Sequence, residues 1–221
     1  MTSNVITGEN NSGSGFNYTL LFIMEMKLAE SFYTREDVVQ IAKDLLGKHL
    51  MTSFDGVVTG GVIMETEAYE GVTDRASHAY NNRRTARTEV MYARGGKAYV
   101  YLCYGIHSLF NIVTNIENVP HAILIRGIFP STGIEMMKER TGKHEIGFNS
   151  GIGPGRVSSL LGIHYTHSGM SLLGEQIWIE DRDFKIHENE ILSGPRIGVG
   201  YAGADALLPY RFSIDEHVIL K

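Results

Sequence analysis

His49-Leu50-Met51-Thr52-Ser53-Phe54, then Asp55-Gly56, then Val57-Val58-Thr59-Gly60-Gly61-Val62-Ile63-Met64-Glu65-Thr66-Glu67 is the stretch that decides the fold. Two extended runs rich in β-branched residues flank an Asp-Gly pair. That dipeptide supplies two consecutive left-handed residues at little cost, as a two-residue hairpin turn requires. The stretch therefore predicts an antiparallel hairpin, and a long second strand invites further partners.

Upstream, Thr34 with Asp37 three residues later resembles a capping box. Val38, Ile41, Ala42 and Leu45 follow at helical spacing, and Gly47 is placed to end that helix. Downstream, Asp74 to Thr88 is polar and irregular. Glu89–Ala93 reads as a short helix stopped by Gly95-Gly96. Ala98–Tyr104 and His107–Thr114 read as a second hairpin with Gly105 at its tip. Ala122–Phe129 reads as an apolar strand ended by Pro130. Helices are expected over Thr132–Arg140 and Gly155–Leu161, and strands over Gln176–Glu180, Arg196–Gly200 and Arg211–Ile214. Hairpins with segregated helices imply an α+β fold. The expectation is a single domain over residues 26–221, with a curved, largely antiparallel sheet, flanking helices and a protruding hairpin. Residues 1–16 are rich in Ser, Asn and Gly, so 1–25 read as a disordered or flexible leader.

The chain has 221 residues, enough for one sizeable core, with 43% hydrophobic and 20% charged residues. A single cysteine, Cys103, excludes an intrachain disulfide framework and fits a reducing cytosol. The apolar run Leu20–Met24 is far too short to span a membrane, and no basic segment precedes it as in a secretory signal. The net charge of −5 argues mildly against a nucleic-acid partner. Its distribution argues the other way. Arg83, Arg84, Arg87, Arg94 and Lys97 lie between Asn81 and Val100 against Glu89 alone, a stretch suited either to a solvated face or to phosphates.

Two segments carry chemistry. In Glu65-Thr66-Glu67-Ala68-Tyr69 the strand period puts two carboxylates and a phenol on one face. Such a face is ordinarily just exposed. If buried, it raises a carboxylate pKa and suits a general base. In Tyr99-Val100-Tyr101-Leu102-Cys103-Tyr104-Gly105, Tyr99 and Tyr101 share a face while Tyr104 sits at the turn. Tyrosine favours strands in any case, but an aromatic at a hairpin tip beside a basic stretch is suited to wedging into stacked bases.

These segments, with His78, Asn111 and Leu124-Ile125-Arg126, are similar in order and spacing to the 3-methyladenine (alkyladenine) DNA glycosylase family. Gly153-Pro154-Gly155-Arg156, Arg196-Ile197-Gly198-Val199-Gly200 and Pro209-Tyr210-Arg211-Phe212 resemble its later motifs, and the likeness runs from about Phe32 to Phe212. The resemblance implies a base-excision repair enzyme that flips alkylated or deaminated purines out of duplex DNA and hydrolyses the N-glycosidic bond. The damaged bases would include 3-methyladenine, 7-methylguanine, hypoxanthine and ethenoadenine. It makes Glu67 the general base and Arg126 a holder of the nucleophilic water, with the Ile197 carbonyl completing that site. It places Tyr69, His78 and Tyr101 around the flipped base, Ala76 as a backbone contact and Asn111 as the residue that disfavours guanine. Tyr104 becomes the intercalating side chain, and the basic stretch the phosphate contact. No lysine falls at a pocket position, so a monofunctional hydrolase without lyase activity is implied. Neither cofactor nor metal is required. The partner is double-stranded DNA containing damaged purines, with no membrane, and a monomer in the cytoplasm, associated with DNA, is expected.

Ile106-His107 stand where the family often carries bulky groove-widening residues, which bears on substrate range. Two other readings compete: a non-catalytic lesion-binding protein on the same fold, and a carboxylate hydrolase acting on soluble nucleosides. Gly198-Val199-Gly200-Tyr201-Ala202-Gly203 fits the glycine spacing of a dinucleotide loop, but no βαβ unit or acidic residue follows it. His164 and His167 lack further zinc ligands nearby, and Ser158-Ser159 lacks a hydrolase context.

Overall fold

The computed structural model describes residues 26–221; the leader expected over 1–25 lies outside the described residues. Glu30–Tyr33 (α1) and Val38–Asp44 (α2) lead into the first hairpin, His49–Phe54 (β1) and Val57–Tyr69 (β2). Asp37, rather than Thr34, caps α2. Its carboxylate accepts from the Gln40 amide at 2.9 Å, whereas Thr34 closes α1. Asp55 and Gly56 both have positive φ, 53° and 78°, the conformation the hairpin turn demands. Lys97–Cys103 (β3) and His107–Thr114 (β4) form the second hairpin, followed by His121–Thr132 (β5), Ile134–Thr141 (α3) and Pro154–Leu161 (α4). Ile177–Glu180 (β6), Leu192–Gly194 (β7), Arg211–Ser213 (β8) and Glu216–Ile219 (α5) complete the chain.

Among the described residues, eight strands form one sheet in the order β3-β4-β5-β2-β1-β6, with β8 paired to both β2 and β7. Every strand pairing is antiparallel. The fold is thus α+β with a largely antiparallel sheet, as the hairpin signals imply. β2 is long enough to serve three partners. Its first half pairs with β1, and Glu65–Glu67 are held between β5 on one edge and β8 on the other.

Two further expectations need correction. β5 does not stop at Pro130 but runs on to Thr132. Pro130 sits where the β2 register shifts between Gly60 and Gly61, so its missing N–H falls at an irregularity in the ladder. Arg196–Gly200 is not a strand but an irregular segment, because its side chains and one amide are committed to the site described below.

The period of two divides the sheet into two functions. Thr66, Ala68, Ala98, Val100, Phe110, Ile112, Ile123 and Ile125 are buried on one face, most of them in the main core with Val38, Ile41 and Leu161. The Thr66 hydroxyl bonds the Ala42 carbonyl of α2 at 2.9 Å, which ties that face to the helix. The alternate residues, from Glu65 to Arg126, turn to the other face.

Candidate active site

A single row of cross-strand neighbours spans that other face. Tyr99 pairs with Asn111, Asn111 with Leu124, Leu124 with Glu67, and Glu67 with Arg211. Residues far apart in the chain become neighbours because the ladder sets them about 5 Å apart. Glu67 has no solvent exposure. Its Oε2 accepts from the Tyr69 hydroxyl at 2.7 Å and its Oε1 from the backbone amide of Ile197 at 2.7 Å. Arg126 Nε stands 3.4 Å from Glu67 Oε1 and 3.4 Å from Glu65 Oε1, while Arg211 Nη1 donates to Glu65 Oε1 at 3.0 Å. Burial pushes the Glu67 carboxyl above its ordinary range, and the Arg126 charge and the two hydrogen bonds only partly offset this. Burial and the adjacent Glu67 hold the Tyr69 phenol well above its usual range, so it remains a donor.

Arg126 owes its position to a bulge. On β5, Ile125 pairs with Thr66 and Gly127 with Glu65, leaving Arg126 with no partner in the ladder. Its carbonyl accepts from Gly153 instead, at 2.8 Å. Extra residues of this kind re-aim a side chain beside functional sites. Gly127 permits the close approach, since a Cβ there would lie 3.1 Å from the Glu65 Cβ.

A cavity of about 330 Å³ opens in front of this row, lined by Tyr69, Ala76, His78, Tyr101, Asn111 and Arg126 among others. That volume is near the lower end for small-ligand pockets, roughly 300–1,000 Å³, and suits one heteroaromatic ring rather than a dinucleotide. Glu67 lies directly behind the lining, reached through Tyr69, Arg126 and Ile197. A larger open cleft of about 690 Å³ lies against Glu65, Ile214, His217 and Leu220, but it lacks the aromatic wall.

His78 and Tyr101 touch edge to face with ring centroids 4.7 Å apart. The Tyr99 hydroxyl lies 2.8 Å from His78 Nδ1 and fixes the imidazole. Burial and the charges of Arg87 and Arg83 lower the His78 pKa to about 4, so the ring is neutral at neutral pH. Arg87 Nη2 lies 3.5 Å from His78 Nε2 and its guanidinium 4.8 Å from the Tyr101 ring centre. Asn111 donates both amide hydrogens to backbone, to the Tyr99 carbonyl at 3.1 Å and the Leu109 carbonyl at 3.2 Å. Only its Oδ1 is left for the cavity.

The segment read as a strand is pinned from two sides. Arg196 is buried and donates to the Ala68 carbonyl at 2.8 Å, to Asp74 Oδ1 at 2.9 Å and to the Asp205 carbonyl at 3.0 Å; its Nη1 also pairs with Asp74 Oδ2. Arg211 Nε holds the Pro195 carbonyl at 2.9 Å. Between these anchors the Ile197 amide is aimed at Glu67 and donates to its Oε1. Asp74 Oδ1 also accepts from the Ala76 amide at 2.9 Å, which joins the Ala76–His78 wall to the same pair.

Tyr104 stands at the tip of the β3–β4 hairpin, 93% exposed, with φ 52°; Gly105 follows at 71° and the Ile106 amide closes the turn on the Cys103 carbonyl at 3.1 Å. Tyr104 and Cys103 also line the cavity, so the tip borders its mouth. The basic stretch divides. Arg83 and Arg87 act on His78 beside the cavity. Arg84 pairs with Glu89 at 2.6 Å, and Arg94 pairs with Glu30. Lys97 begins β3, at the end opposite Tyr104, about 20 Å away at the rise of an extended strand.

Tyr99, Asp74, Arg196, Arg211 and Tyr201 went unassigned in the sequence. Tyr99 carried a signal, the shared face with Tyr101. The Asp74–Arg196 pair is separated by 122 positions, and no local pattern joins it. Among the described residues, no group of three or more His, Cys, Asp or Glu could hold a metal ion, and no helix is long and apolar enough to cross a membrane.

Residues 31–218 match the model of the methylpurine-DNA glycosylase family. A protein of Chlamydia felis is 44% identical over 193 residues, covering 85% of this chain and 96% of its own length. One from Bacillus cytotoxicus is 40% identical over 204 residues, 89% of this chain and all of its own. One from Clostridium acetobutylicum is 39% identical over 196 residues, 86% and 94% respectively. All three are named "Putative 3-methyladenine DNA glycosylase". With the match spanning the sheet, the buried Glu67 and the segment that holds it, the chain belongs to the methylpurine-DNA glycosylase family.

Proposed function

We propose that the protein is a monofunctional DNA glycosylase. It flips an alkylated or deaminated purine out of duplex DNA and hydrolyses its N-glycosidic bond with a water activated by Glu67. The observation that carries this reading is a solvent-free carboxylate directly behind an aromatic-walled cavity with an exposed tyrosine at its mouth.

A base inside a duplex is out of reach, so it must be extruded at a cost of a few kcal/mol. Tyr104, held outward by its turn, offsets part of that cost by filling the vacated stack. Arg83 and Arg87 take the phosphates nearest the cavity; Arg84, Arg94 and Lys97 contribute to the wider field on DNA. Because His78 and Tyr101 are already in edge contact, no ring fits between them. They form one wall, and Tyr69 faces the base from the other side. A cationic alkylated purine gains about 0.5–2 kcal/mol from such rings, while neutral hypoxanthine and ethenoadenine stack without that term. Ala76 supplies backbone polarity and Asn111 limits the room at the base edge, which disfavours guanine.

As the bond to the sugar breaks, positive charge develops on the sugar, as in glycoside hydrolysis. Glu67 stabilises that charge and takes a proton from water, while Arg126 and the Ile197 segment hold the carboxylate and the water in register. Among the described residues, no lysine lines the cavity, which supports the reading without lyase chemistry.

The test is a duplex with a single hypoxanthine or ethenoadenine. Wild type should release the free base and leave a strand that breaks only after alkali. Glu67→Gln should bind the duplex and release nothing. Strand scission without alkali, or release by Glu67→Gln at the wild-type rate, would contradict the mechanism.

Two further outcomes follow. The rate should fall as pH drops through the Glu67 pKa, and because burial raises that pKa, this limb should lie at higher pH than for an ordinary exposed carboxylate. A rate profile with its midpoint at or below the free-carboxylate range would count against Glu67 as the base. Tyr104→Gly should leave the melting temperature unchanged or slightly raised, since it removes an exposed side chain from a positive-φ position. Excision from duplex DNA should nevertheless drop at least about tenfold, measured under single-turnover conditions, as the wedge is lost.

A further inference from the structure

The glycine-rich run Gly198–Gly203 supplies a wall of the cavity. Gly198, Val199 and Tyr201 all line it. Tyr201 is 70% exposed, and its hydroxyl donates to the backbone carbonyl of Ala76 at 3.1 Å. Val199 and Ala202, on either side, pack with Ala76 in a small buried cluster that Tyr69 adjoins. A large exposed aromatic would not be held at a cavity mouth by its own packing; the bond to Ala76 and the neighbouring cluster hold it.

The polar groups of this wall already have partners. The Ala76 amide donates to Asp74 Oδ1, and one lone pair of the Ala76 carbonyl accepts from Tyr201. The carbonyl is the acceptor that a base with an exocyclic amine would seek. Ala76 comes from the loop beyond the end of β2, not from the strand row that carries Glu67. On the glycosylase reading, with the sugar turned toward Glu67, Ala76 in the cavity lining is placed to meet a purine edge away from the bond being broken, and the C6 substituent lies on such an edge.

We propose that Tyr201 is a specificity-determining residue of the base pocket. Its hydroxyl occupies the Ala76 carbonyl, handicaps purines that present an amine there and favours those that present a carbonyl oxygen. This rests on the glycosylase reading. A 6-amino purine must displace the phenol or share the acceptor with it, whereas a 6-oxo purine gives nothing up.

The test compares kcat/KM for hypoxanthine release from a deoxyinosine duplex with that for 3-methyladenine release from a methylated duplex. Tyr201→Phe keeps the ring and removes the hydroxyl. It should raise the 3-methyladenine to hypoxanthine ratio about three- to tenfold, the worth of one neutral hydrogen bond. Tyr201→Leu should shift the ratio in the same direction while lowering both rates, because the aromatic wall is lost as well. Both variants should melt like wild type. A ratio unchanged in Tyr201→Phe, or moved toward hypoxanthine, overturns the assignment while leaving the glycosylase reading intact. Release of neither base by wild type overturns both.

Discussion

Glu67→Gln is expected to abolish excision, by about 10³-fold or more in the single-turnover rate, while making the fold no less stable. The loss follows from removing a general base and a charge opposite a developing cation, effects worth about 10²–10⁴ and 10²–10³. The stability follows from burial. The folded-state pKa of Glu67 is raised, so the fold favours the protonated acid. That contribution is fully present below the unfolded pKa and is lost as pH rises through the folded one. Above that window an ionised carboxylate weighs against the fold. Glutamine is neutral throughout and keeps both contacts. Its oxygen accepts from the Ile197 amide, and its nitrogen donates to a Tyr69 hydroxyl turned to accept. Thermal melts across the acid-to-neutral range should show the two proteins together at low pH and the variant equal or higher at neutral pH. A variant that melts well below wild type at neutral pH would mean that the charge stabilises the fold, against the burial argument.

Asp74→Ala is expected to be the most damaging substitution for stability. Asp74 and Arg196 are both buried, and their pair ties together the end of β2 through Ala68, the cavity wall through Ala76 and the segment around Asp205. Arg196 also lies 4.8 Å from the Tyr69 ring centre and 5.4 Å from that of Tyr210. Removing one partner of a buried pair leaves the other charge stranded, at a cost of about 3–5 kcal/mol. Native stabilities are typically about 5–15 kcal/mol, so that loss should lower the melting temperature by roughly 10 °C or more in a chain of this size. Arg196→Met should cost a similar amount. The double variant Asp74→Leu with Arg196→Met should recover much of the loss, because no charge is then left unpaired. Additive losses in the double variant would show that the two side chains act independently.

The hairpins and the division of the sheet into a core face and a site face were legible because both are local. Asp55-Gly56 admits few conformations other than a tight turn, and the period of two places Glu65, Glu67 and Tyr69 together before any partner strand is known. The same logic put Tyr99 with Tyr101. What could not be read depends on distant residues. Pro130 ends a strand by any local rule; only its partner strand shows that the ladder is already broken there. Arg196–Gly200 looks extended because it is apolar and glycine-spaced, yet the Ile197 amide is held by Glu67, the Arg196 side chain by Asp74 and the preceding Pro195 carbonyl by Arg211, across separations of 16 to 130 positions. The basic stretch reads as one patch in the sequence. The hairpin separates it, leaving Arg83 and Arg87 by the cavity and sending Lys97 to the other end of β3. Tyr201 was hidden inside a glycine pattern whose familiar meaning is nucleotide binding.

The spatial claim beneath the mechanism is tested most directly by determining the structure of Glu67→Gln bound to a duplex with one ethenoadenine. The lesion is expected outside the helix, its ring between Tyr69 and the Tyr101–His78 wall, its sugar C1′ turned toward residue 67, and Tyr104 in the vacated stack. A lesion that stays within the helix, or one that enters the cavity with its sugar turned away from residue 67, would contradict it.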